Sequence, residues 1–147
     1  MYRPRSRLAG GALLLALTVW LAGCGTFRHI GDRPGVALAE ASWQAVHAVD
    51  FSQTVAIARC PDHYEERGFP TEWVIGEHPS ESAVAASWAG FAVLHAAVTG
   101  YLAARADRGP LWLWALYGWE ALTLTESAAT VAHNASIGLG PFSSRCR

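Results

Sequence analysis

The sequence predicts an all-α fold: a three-helix bundle in which two long apolar helices, about 80–106 and 110–134, form an antiparallel hairpin. Three observations lead there. Apolar residues make up 52% of the 147-residue chain and charged residues only 16%, enough to bury one compact domain and too short for a multidomain enzyme. Distinctive side chains recur at steps of three and four through most of the chain, with no alternating strand pattern and no internal repeat. The turn formers fall between these stretches, at Pro34-Gly35, Cys60-Pro61, Pro79, Gly109-Pro110 and Gly140-Pro141.

Each helix has its own start and stop. The first runs from about Val36 to Arg59 and ends at Cys60-Pro61, because the residue before a proline is pushed out of the helical region. Residues 61–80 form a loop with Gly68, Pro70, Gly76 and Pro79. Ser80 is placed to cap the second helix, and Glu81 suits the positive end of its dipole. Asp107-Arg108-Gly109-Pro110 is a turn, with Pro110 at the first position of the third helix. Gly138, Gly140 and Pro141 end that helix beyond about Asn134.

The N-terminus carries an address. Arg3, Arg5 and Arg7 precede an apolar run from Leu8 to Ala22, the pattern of a secretory signal. Leu21-Ala22-Gly23-Cys24 resembles a bacterial lipobox, which implies cleavage before Cys24 and acylation of its thiol. The chain then divides into a signal peptide (1–23), a lipidated polar tether (24–35) and a helical domain (36–147). Gly25 after the cysteine implies sorting to the outer membrane by the pattern of such lipoproteins. Export places the other two cysteines, Cys60 and Cys146, in an oxidising compartment, where a disulfide between them is favoured over two free thiols.

Ala83–Ala104 and Leu111–Ala132 are each long enough to cross a bilayer, which takes about 20 residues. Trp112, Trp114, Tyr117 and Trp119 at one end look like an interfacial belt. Glu120 and Glu126 oppose insertion, since a carboxylate near a helix centre costs about 2.5–3.5 kcal/mol even on permissive scales. Two arrangements stay open: a hairpin embedded in the inner membrane, or a periplasmic bundle docked against lipid.

Polar groups ride on the apolar faces. Trp43, His47, Asp50, Thr54 and Ile57 form one stripe on the first helix; Leu116, Glu120, Thr123, Ser127, Thr130 and Asn134 form one on the third. Trp88, Phe91, His95, Val98 and Leu102 line the second. A hairpin turning at 107–108 sets His95 level with Glu120, so the two are expected to bond. The candidate polar cluster is therefore His47, Asp50, Thr54, His95, Glu120, Thr123, Ser127 and Asn134. It is expected to be a self-satisfied polar core. No cofactor is predicted, with a divalent metal on His47, Asp50, His95 and Glu120, or acid–base use of them, as the alternative.

Other activities lack their signatures. All eleven cations are Arg and the formal net charge is -1, so the chain does not neutralise phosphates as a nucleic-acid binder must. The sequence contains no nucleophile elbow, phosphate loop, dinucleotide fingerprint or His-Glu-x-x-His motif. The acidic loop with Tyr64, Phe69 and Trp73 is expected to be a solvated surface, with a partner-binding surface or a weak cation site as the alternative. Asp50-x-x-Gln53-Thr54, Gly76-Glu77-His78-Pro79-Ser80, Glu120 and Asn134 resemble a pattern in small bacterial membrane-associated proteins. That resemblance implies that the first helix, the loop end and the third helix act as one unit, and it implies no catalytic residue. The leading expectation is a lipid-anchored, periplasm-facing envelope protein with a structural or partner-binding role. Its partners would be membrane lipid through Cys24 and an envelope protein, and the alternative is a small metal- or proton-handling protein or enzyme.

Overall fold

A computed structural model describes residues 27–66 and 71–141, and all regular structure among them is helical. Four α-helices follow in order: α1 (Pro34–Arg59), α2 (Thr71–Ile75), α3 (Glu81–Ala103) and α4 (Pro110–Ser136), with a 3-10 turn at Ala106–Arg108 before α4. The expected signal peptide (1–23), Cys24 and Cys146 lie outside the described residues.

Local chemistry sets the boundaries. Pro34 and Pro110 occupy first-turn positions, where the missing N–H costs nothing. The Ala83 N–H donates to Ser80 Oγ at 3.2 Å, so Ser80 is the N-cap of α3. Gly138, at φ +91°, ends α4, and the Leu139 N–H reaches back to the Asn134 carbonyl at 2.9 Å. Three segments differ from expectation. The loop over 61–80 contains α2, closed by Gly76 at φ +81°. The second helix stops at Ala103, and the last of its expected residues enters the separate 3-10 turn. Residues 27–31, expected as polar tether, form a helical turn because Ile30 has an apolar seat to fill.

The three long helices each pack against the other two. Glu40 with His95, Gln44 with Ala92 and His47 with Trp88 step in opposite directions along α1 and α3. Thr99 with Glu120 and His95 with Thr123 do the same along α3 and α4. Apolar packing is concentrated at the two ends. Ile30, Val36, Ala103, Ala106 and Leu116 close one end; Ala56, Ile57 and Leu139 close the other. The middle is polar, with Glu40, His47, Gln53, Thr54, His95, Thr99, Glu120 and Ser127 all buried.

The outside is correspondingly apolar. Leu122 is 70% exposed and Trp114 75% exposed, and Val93, Leu94, Tyr101 and Tyr117 are also exposed. Among the described residues one helical stretch, Glu81–Arg108, is long and apolar enough to cross a membrane, and only 28% of its most apolar window is buried.

Candidate functional site

Every long helix contributes to one buried group. Glu40 comes from α1, His95 from α3 and Glu120 from α4, and one donor atom of each lies within 4.8 Å of the others. His95 Nδ1 is 2.9 Å from Glu40 Oε2, and Gln44 Nε2 donates to Glu40 Oε1 at 2.7 Å. His95 Nε2 is 2.9 Å from Thr123 Oγ1, whose own hydroxyl donates to the Trp119 carbonyl at 2.8 Å. His95 thus links Glu40 on α1 to Thr123 on α4 through its two ring nitrogens. The imidazole is stacked on Trp43, with centroids 3.7 Å apart, and faces Trp119 at 5.1 Å.

Glu120 is bonded on one side only. Thr99 Oγ1 donates to its Oε1 at 2.6 Å, and Trp119 Nε1 donates to Thr99 at 3.2 Å. Its Oε2 is buried and has no hydrogen-bond partner among the described residues. Burial pushes the Glu120 carboxyl above the usual carboxylate range, against the opposing pull of the Thr99 hydrogen bond. Burial acts the same way on Glu40, but the hydrogen bonds from His95 and Gln44 outweigh it and hold that carboxyl below its ordinary value.

The expected direct bond between His95 and Glu120 is corrected. The pairs observed between α3 and α4 centre on Gly109, at φ +146°, rather than on 107–108, with the 3-10 turn Ala106–Arg108 lying before it. This shift sets His95 against Thr123 and Thr99 against Glu120. Glu40 and Thr99 take the places that sequence reasoning left vacant. The spacing could have found Glu40: continuing the α1 stripe back from Trp43 by steps of three and four reaches Glu40 and then Val36, both buried.

The remaining predicted residues occupy a second zone. His47 Nε2 is 3.2 Å from the Trp88 carbonyl, and its ring stacks on Trp43 at 4.5 Å. Burial lowers its pKa. Asn134 Nδ2 donates to Gln53 Oε1 at 3.3 Å and reaches Asp50 Oδ1 at 3.5 Å. Gln53, fully buried and singled out in the sequence only through the resemblance pattern, outside the candidate cluster, donates to the Leu139 carbonyl at 2.8 Å. Burial, reinforced by the charges of Glu66 and Glu126, raises the Asp50 pKa to about 7. Thr54 and Ser127 are buried. His47 and Asp50 thus lie outside the group formed by Glu40, His95 and Glu120.

A half-open cleft of about 880 Å³ lies at the same end as Asn134. Asp62, Glu65, Glu66 and Glu126 line it together with His63 and His133. No family model, curated protein or solved structure matches this chain.

Proposed function

We propose that this chain is a lipid-anchored helical protein of the bacterial cell envelope. It is a three-helix bundle whose antiparallel apolar hairpin, α3 and α4, lies against the membrane surface while the opposite, acidic end meets an envelope partner. The distribution of exposed side chains carries this reading. Phe27, Tyr101, Leu111, Trp114 and Tyr117 are exposed at the end from which the chain runs back to Cys24. Arg105 lies 3.5 Å over the Tyr101 ring there, a cation and aromatics suited to lipid headgroups. Acyl chains on Cys24 add about 0.8 kcal/mol per buried methylene, and a single chain anchors only marginally, so an apolar face beside them completes the attachment.

Surface docking is favoured over a spanning hairpin by Glu126, which is exposed on α4 and would face acyl chains in a span. A disulfide between Cys60 and Cys146 fits the same picture. Leu139 packs on Ala56 and Ile57, in the last turn of α1 just before buried Cys60. For the partner surface, the acidic cleft offers Tyr64 among its carboxylates, and α2 separately presents Trp73, which is 80% exposed.

Cysteines introduced by Asp32→Cys and Glu72→Cys probe the two ends. Both should react with a membrane-impermeant maleimide added to the periplasmic side. Reaction of one and protection of the other would mean that the bundle spans. Cys24→Ser should abolish acyl labelling and leave an unprocessed precursor; unchanged labelling would remove the anchor. A second reading, a metal-handling protein, is favoured by one observation: the buried group of two carboxylates and an imidazole.

A further inference from the structure

We infer that Glu40, His95 and Glu120 form a binding site for one divalent first-row transition ion, such as Zn²⁺, with one ligand supplied by each long helix. The inference rests on the metal-handling reading and is independent of how the bundle meets the membrane.

Two observations bring these residues to a ligand. Their donor atoms already fall within 4.8 Å of one another, so a small closure gives the separations that bonds of about 2.0–2.2 Å to nitrogen and oxygen require. Separately, Glu120 is 3% exposed and its Oε2 has no hydrogen-bond partner among the described residues. An unmatched carboxylate oxygen in an interior is costly, and a cation is the partner that best offsets it.

The donor set selects the ion. One imidazole and two carboxylates suit zinc, iron or manganese better than calcium, which takes six to eight oxygens. Two carboxylates also balance a divalent charge. The surroundings hold the ligands in place: Thr99 donates to Glu120, Gln44 donates to Glu40, and Trp43 and Trp119 flank the imidazole. One His95 nitrogen would give up its present partner, either Glu40 or the Thr123 hydroxyl. Three protein ligands leave a coordination position open, as in sites that bind water or a small ligand.

The test uses the full chain in mild detergent, stripped with chelator and titrated with Zn²⁺, and with Co²⁺ as a coloured probe. The wild type should take up one ion per chain and show the visible bands of ligated Co²⁺. Glu120→Gln, which keeps the shape and the Thr99 contact, should weaken uptake by more than about tenfold, as should Glu40→Gln. His47→Ala and Asp50→Asn should leave it unchanged. Circular dichroism separates loss of a ligand from loss of the fold, and Glu120→Gln is the variant expected to stay folded. A folded wild type that takes up no ion overturns the site. So does uptake that survives Glu120→Gln or disappears with His47→Ala. Either result leaves lipid anchoring and membrane docking standing.

Discussion

His95 sits between the Glu40 carboxylate and the Thr123 hydroxyl, with the Trp43 and Trp119 indoles on its faces. Breaking a buried pair by removing one partner leaves the other group uncompensated, at a cost of about 3–5 kcal/mol. Glu40→Ala should therefore lower unfolding free energy by that amount in denaturant titrations, and a loss below about 1 kcal/mol would deny the pair its place. Asp50 gives a pH signature. Its folded pKa of about 7 lies above the ordinary 3.8, so the folded state keeps a proton that the unfolded chain has released. The resulting stabilisation is complete below about pH 4 and is lost as pH rises through 7, an effect on the order of 1–4 kcal/mol. Asp50→Asn should remove this slope and leave the variant more stable than wild type at pH 8. Parallel pH profiles for the two proteins would count against it. His47, Asp50 and His95 could be seen as inward-facing from spacing alone. Their partners could not, because a partner depends on register, and the register depends on the connection between α3 and α4, whose 3-10 turn Ala106, Asp107 and Arg108 do not announce.

The helices were readable because their ends obey backbone chemistry. Ser80 caps α3 and Pro110 opens α4 as expected, since each supplies or omits one hydrogen bond at a place where the count matters. Ser80→Ala should cost about 0.5–2 kcal/mol in thermal or chemical unfolding. Glu81 joins α3 to the end of α1 through Arg59 at 2.7 Å, and that hydrogen bond holds the Glu81 carboxyl below its usual range. The short helix Thr71–Ile75 escaped notice because five residues between turn formers hold no full period of an apolar pattern. Ile30 escaped for a related reason: two apolar residues, Phe27 and Ile30, in a short polar run give too little periodicity, and the seat among Val36, Ala103, Ala106 and Leu116 exists only once the long helices have packed. Non-reducing mass spectrometry of exported protein should find Cys60 linked to Cys146; free thiols at both would exclude that link.

Taken together, the bundle carries apolar groups outside and polar groups within. Soluble domains bury Leu and expose Glu. Here Glu40, His95 and Glu120 are buried, while Leu94, Trp114 and Leu122 are exposed on α3 and α4. Burying a Leu or Phe side chain fully stabilises by about 1.5–3 kcal/mol, so under the proposed membrane docking several such groups meeting lipid would add substantially to an acyl anchor. Hydroxyl-radical footprinting of the acylated protein on phospholipid vesicles reads this contact directly. Trp114, Tyr117 and Leu122 should be protected from oxidation, while Trp73 and Val74 at the acidic end should be oxidised. Oxidation of Trp114 and Leu122 to the same extent as Trp73 would contradict the account.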